Sequence, residues 1–196
     1  MDQLAISATI ALRDCMKARS GESVLVVTDD AKLEIGMAIY KAAKELGTEA
    51  LLMVMPPRTR NGEEPPQSMA EAMKRADIVL CPTSKSLSHT NARHDACNHG
   101  ARVATLPGIT LDCMARTLGA DYDAIRARTE KMTAALNGTK TVRVTAPAGT
   151  DITMSVSGRE FGADTGIITA KGEFGNLPAG EAYVAPLEGT AEGIVA

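Results

Sequence analysis

The sequence predicts an α/β protein, a doubly wound and mostly parallel Rossmann-like sheet followed by the beginning of a β-rich domain. Two observations predict it. Through residue 136, runs that are apolar throughout alternate with stretches of helical spacing, and such runs suit strands buried on both faces of a parallel sheet. After Asn137-Gly138 the pattern becomes strict alternation, which belongs to strands with one solvated face. The expected domains are 1–137 and 138–196.

Each element has its own warrant. Residues 2–17 carry acids and bases inside an apolar pattern and read as an amphipathic helix. Residues 23–28 (SVLVVT), behind Ser20-Gly21-Glu22, read as the first strand. Residues 31–46 have helical apolar spacing and stop at Gly47. Residues 49–55 (EALLMVM) form a second strand closed by Pro56-Pro57, a polar loop covers 58–64, and Pro65-Pro66 opens a helix to about 75. A third strand at 77–81 (DIVLC), a helix at 90–99 ended by Gly100, and a fourth strand at 102–106 (RVATL) follow. Helical stretches at 111–118 and 122–136 complete this part. Residues 140–145 (KTVRVT) and 151–156 (DITMSV) then alternate around a turn at 146–150 and predict a hairpin, and a glycine-rich link at 158–180 leads to the end.

Composition excludes several classes. A hydrophobic content of 44% against 23% charged residues is that of a folded chain, not a disordered one. With two Phe, three Tyr and no Trp, the core must come from aliphatics and the ten Met. A net charge of −3 gives no electrostatic case for nucleic acid or an anionic membrane. The cysteines (Cys15, Cys81, Cys97, Cys113) form no C-x-x-C pair and no run is long enough to span a bilayer, so the expectation is a soluble cytoplasmic protein with reduced thiols.

The candidate site residues sit in two places. Residues 82–93 (PTSKSLSHTNAR) follow the third strand, at the carboxyl end of a parallel sheet where ligands bind open α/β folds. There His89 is a candidate acid or base, and Lys85 and Arg93 are candidates for holding a substrate carboxylate. The bland alternative is helix capping by Ser88 or Thr90 with a solvated imidazole. His94 and His99 read as surface residues, and Cys97 as packing. No G-x-G-x-x-G follows the first strand (Thr28-Asp29-Asp30-Ala31-Lys32), and no phosphate loop of the G-x-x-x-x-G-K-[ST] type occurs. The second place is Glu181, delivered by Pro178-Ala179-Gly180 to the mouth of an apolar run. A carboxylate buried there would be costly unless a metal or fixed cation met it. Gly149-Thr150-Asp151 reads as hairpin geometry, with Asp151 bonding its own turn.

Several runs together resemble a known family: Glu64-Pro65-Pro66, Ala76-Asp77-Ile78-Val79, Ser86-Leu87-Ser88-His89-Thr90, Gly100 through Ile109, Gly149-Thr150-Asp151, Gly158-Arg159 and Asn176 through Glu181. In that order they look like the N-terminal portion of the thermophilic-type metallo-aminopeptidases (family M29, aminopeptidase T and S). The resemblance implies an α/β domain before a catalytic domain. There, divalent metals (Zn, Mn or Co) activate water to release an N-terminal amino acid from a peptide. It places the family's first metal-binding glutamate on Glu181, with the other ligands beyond residue 196, and implies a homodimer. The same superfamily includes 2,5-dihydroxypyridine dioxygenases, which hold Fe(II) and act on a small-molecule substrate; in that branch His89 is suited to proton transfer at a ring hydroxyl. A non-catalytic scaffold or dimerisation module is the third reading.

Overall fold

A computed structural model describes residues 3–196. The chain groups into two units. The first takes the described chain through Tyr122 together with Gly166–Ala179; the second takes Asp123–Thr165 and Gly180–Ala196. The grouping differs from a single cut after residue 137 in two ways. The last long helix goes with the second unit, and a later segment returns to the first.

The first unit holds five strands: β1 (Ser23–Asp29), β2 (Glu49–Met55), β3 (Ile78–Cys81), β4 (Arg102–Thr105) and β8 (Phe174–Asn176). They form one sheet in the order β2-β1-β3-β4-β8, parallel at every pairing. Its helices are α1 (Gln3–Ile10, continued by a π-helical turn at Ala11–Cys15), α2 (Leu33–Glu45), α3 (Gln67–Met73), α4 (Asn91–Asn98) and α5 (Leu111–Thr117). The predicted doubly wound α/β architecture is therefore present. It is extended by β8, which lies within the glycine-rich segment 158–180 expected to be a link.

Strand alternation sorts the core onto two faces. Leu25, Val27, Val79, Cys81 and Val103 pack with Met69 and Met73 of α3 and Ala92 and Ala96 of α4. Val24, Val26, Ile78 and Leu80 face the other way and are also fully buried, on the side that α2 covers through Ile35, Ile39, Ala42 and Ala43. Burying each large aliphatic side chain contributes about 1.5–3 kcal/mol, which is why β3 is apolar throughout and the middles of β1 and β4 are apolar on both faces. Strand β2 is the exception: it lies at the sheet edge, and Leu51 and Val54 stay exposed.

Arg102, almost fully buried, donates to the Met16 carbonyl (2.8 Å) and pairs with Glu22 (2.7 Å), tying the start of β4 to the segment that precedes β1. Gly100 ends α4 at φ 99°, a conformation that favours glycine.

The second unit contains α6 (Tyr122–Leu136, its first residue in the other unit), the antiparallel hairpin β5 (Thr141–Thr145) and β6 (Asp151–Ser155), and the pair β7 (Gly162–Asp164) and β9 (Glu181–Tyr183). Strand β10 (Glu192–Ile194) adds to β6, giving the order β10-β6-β5. The alternating segments thus form the predicted hairpin. Asp151 does not bond its own turn: both its oxygens accept from Arg143, at 2.8 and 2.7 Å. The turn is closed by backbone bonds from Ala146 N–H to the Thr150 carbonyl and from Gly149 N–H to the Ala146 carbonyl.

Candidate functional site

Strands β2 and β3 flank β1, and the chain changes direction across the sheet between β1 and β3. The crevice at the carboxyl ends of those two strands is where open α/β sheets bind ligands. Two hydrogen-bonded links cross it. Thr28 Oγ1 donates to the Pro82 carbonyl (2.8 Å), and Asp29 Oδ2 accepts from both the backbone N–H and the hydroxyl of Ser84 (2.6 Å each). Asp29 is fully buried, and its Oδ1 has no hydrogen-bond partner among the described residues. It therefore fixes the root of the 82–90 loop with one oxygen.

Further along, the loop is pinned on every side. Asn61 Oδ1 accepts from the Ser86 N–H (2.9 Å), and Ser86 Oγ bonds Ser88 Oγ (2.9 Å). Ser88 Oγ meets Thr105 Oγ1 at the end of β4 (2.8 Å), and Thr105 in turn donates to Asn176 Oδ1 at the end of β8 (2.6 Å). The helix after the loop is capped twice. Thr90 Oγ1 accepts from Arg93 N–H (3.3 Å), and the Glu64 carboxylate accepts from the N–H groups of Asn91 (2.6 Å) and Ala92 (3.1 Å). An acid at a helix N-terminus also favours the helix dipole. Thr90 is therefore a cap, as expected, while Ser88 serves the sheet instead.

This frame leaves two loop side chains available. His89 is exposed and Lys85 half-buried, and neither side chain has a hydrogen-bond or ion-pair partner among the described residues. Arg93 is placed differently. Its guanidinium is buried, donates from Nε to the Ser88 carbonyl (2.7 Å), lies 2.8 Å from His94 Nε2, and stacks 4.2 Å over the Phe174 ring. Arginine carries only donors, so His94 Nε2 is the acceptor. The arrangement makes Arg93 a brace between α4, the loop and β8. His94 and His99 are exposed, as expected. Cys97 is half-buried, and burial pushes its thiol above the ordinary range, in keeping with packing.

Glu181 opens β9 in the second unit, where its Cα partner is Asp164 of β7. It is exposed, so the burial cost that drew attention to it does not arise. Among the described residues no group of three or more His, Cys, Asp or Glu is placed to hold a metal ion. The side chains present therefore do not fit a metal centre by themselves. Sequence reasoning missed Asp29, Asn61, Glu64, Thr105 and Asn176 as parts of the frame. The only local signal was an acid or amide directly after an apolar run, as in Asp29 and Asn176.

Comparison with known proteins places the chain. The family model for NicX, 2,5-dihydroxypyridine 5,6-dioxygenase, matches residues 6–196. The chain belongs to that family. Among solved structures, 2,5-dihydroxypyridine dioxygenase from Pseudomonas putida KT2440 matches with TM-score 0.74 at 18% identity, covering 96% of this chain and 57% of that one. AmpT from Thermus thermophilus matches with TM-score 0.64 at 17% identity, covering 97% of this chain and 63% of that one. At these identities the likeness establishes the shared fold. The chain spans less than two thirds of the length of either structure. No curated protein sequence matches. No helix among the described residues is long and apolar enough to cross a membrane.

Proposed function

We propose that this chain supplies the α/β part of a metal-dependent enzyme that opens the ring of a 2,5-dihydroxypyridine-type substrate. The observation that carries the reading is the dioxygenase family match over residues 6–196. It agrees with a carboxyl-edge loop that holds an exposed imidazole, His89, on a hydrogen-bonded frame. In this reading His89 takes or returns a proton at a ring hydroxyl, a step that needs an imidazole exposed at the loop and free of other partners among the described residues. Lys85 holds an anionic substituent or ring oxygen as a point charge. Arg93 braces the loop. Fe(II) is the metal of this branch, and Glu181 is the one carboxylate here that the family resemblance marks as a ligand.

The second reading is a metallo-aminopeptidase, favoured by the fold likeness to AmpT. There Zn, Mn or Co replaces Fe(II), and the loop steadies a peptide terminus. The two are separated by offering the protein Fe(II), 2,5-dihydroxypyridine and air in one assay, and Zn, Mn or Co with unblocked peptides in another. The dioxygenase reading expects oxygen uptake with ring loss. It also expects His89→Ala to lower kcat by about 10²–10⁴ with little change in KM. Peptide hydrolysis without oxygen uptake transfers the assignment to the second reading, and neither activity leaves a scaffold or dimerisation module.

A further inference from the structure

We propose that Asn176 is a substrate-binding residue, whose side-chain amide donates a hydrogen bond to the oxygen beside the ring nitrogen of a 2,5-dihydroxypyridine-type ligand. The inference deepens the dioxygenase reading and rests on it. Its basis is a directed chain of hydroxyls. Ser86 Oγ accepts from the Ser88 N–H (3.1 Å) and donates to Ser88 Oγ (2.9 Å). Thr105 has one hydroxyl proton, which goes to Asn176 Oδ1 (2.6 Å). Across the 2.8 Å contact between Ser88 and Thr105, Ser88 is therefore the donor. Ser88 Oγ also lies 3.2 Å from the same Asn176 oxygen. The hydroxyl protons thus run one way and end on Oδ1. That fixes the amide, with its oxygen toward the hydroxyls and its NH2 group turned away from them.

The backbone beneath this amide is held as well. Asn176 pairs with Thr105 in the sheet, the Leu177 N–H donates to the Thr105 carbonyl (3.0 Å), and Phe174 of the same strand carries the Arg93 guanidinium. Ser88 and Thr105 are buried, whereas Asn176 is exposed and its NH2 group has no hydrogen-bond partner among the described residues. The network ends at the surface in a donor already ordered, beside the residue that precedes His89, so a ligand need not immobilise it. The two oxygens of the ligand differ in kind. The one beside the ring nitrogen is conjugated with it and behaves as a carbonyl-like acceptor. The other is a phenol-like hydroxyl with a proton to exchange. An amide NH2 matches the first and an imidazole the second.

The test crosses ligand with residue in titrations followed by NMR, with thermal melts to verify folding. The ligands are 2,5-dihydroxypyridine and 3-hydroxypyridine, which keeps the hydroxyl and lacks the other oxygen. The proteins are the wild type, Asn176→Ala and Asn176→Asp. The Asp variant keeps an acceptor for Thr105 and loses the donor. The expected result is that both variants bind 2,5-dihydroxypyridine about 3–10-fold more weakly than the wild type, while binding of 3-hydroxypyridine is unchanged. Equal weakening toward both ligands overturns the proposal, because Asn176 then only supports the loop. Unchanged binding of 2,5-dihydroxypyridine in both variants also overturns it and leaves the dioxygenase reading standing. A wild type that binds neither ligand overturns both.

Discussion

Asp29 holds the root of the candidate site, and replacing it tests whether that frame matters. Asp29→Ala removes two bonds of 2.6 Å from Ser84. Bonds to a charged group contribute about 1.5–3 kcal/mol each, and a buried oxygen without a partner costs about 1–3 kcal/mol. Oδ1 is such an oxygen, so the variant also gains by losing it. Ser84 is only half-buried, and water can satisfy part of what it loses. The net cost is then about 1–2 kcal/mol, which for a chain of this size lowers Tm by about 2–8 °C. Asp29→Asn keeps the shape and a neutral acceptor and should fall between the wild type and Ala. The assay pairs thermal melts with amide hydrogen exchange. Exchange in residues 83–90 should accelerate in the order wild type, Asn, Ala, while β1 and β3 keep their protection. Unchanged loop exchange in the Ala variant would refute the claim that Asp29 positions the loop bearing Lys85 and His89.

Other perturbations read other parts of the account. Asn176→Ala removes the acceptor of Thr105 and should cost about 1 kcal/mol, seen as faster exchange at 174–177 with little change in β1. Asp77 accepts from the Ser23 N–H and hydroxyl (2.8 Å each), which holds its carboxyl below the usual aspartate range. A depressed folded-state pKa stabilises above the unfolded value and is lost as pH falls. The stability gap between wild type and Asp77→Asn should therefore narrow below about pH 4, as read from urea melts across pH. Burial pushes the Cys81 thiol up to about 12 and raises Cys15 as well, so alkylation of the native protein near pH 8 should spare both and modify Cys113 first, as peptide mass mapping would show.

The sheet was legible because β1, β3 and β4 hold apolar runs that suit two-sided burial, β2 is an apolar run closed by Pro56-Pro57, and α6 falls on its helical stretch. Strand β8 was not legible. Phe174-Gly175-Asn176 is too short to show a period, and its partner β4 lies some seventy residues away, so only the tertiary pairing Val103 to Phe174 makes it a strand. The assignment of α6 to the second unit was hidden for the same reason: a helical pattern announces its apolar face but not what covers it. At the candidate site, position at the carboxyl end of β3 pointed to His89 and Lys85. The same reasoning offered Arg93 as a substrate contact, and the stacking on Phe174 that occupies it depends on the strand that could not be seen. Glu181 drew notice through a burial argument that its exposure removes, so its metal role rests on family resemblance alone.

The central claim is that substrate meets this chain at the carboxyl-edge loop. Titrating 2,5-dihydroxypyridine into isotope-labelled protein and following amide and imidazole resonances tests it without requiring turnover. The account predicts shifts concentrated at residues 83–90, with the His89 imidazole among the largest, and their loss in His89→Ala. Shifts confined to residues remote from that loop, or none up to saturating ligand, would contradict it.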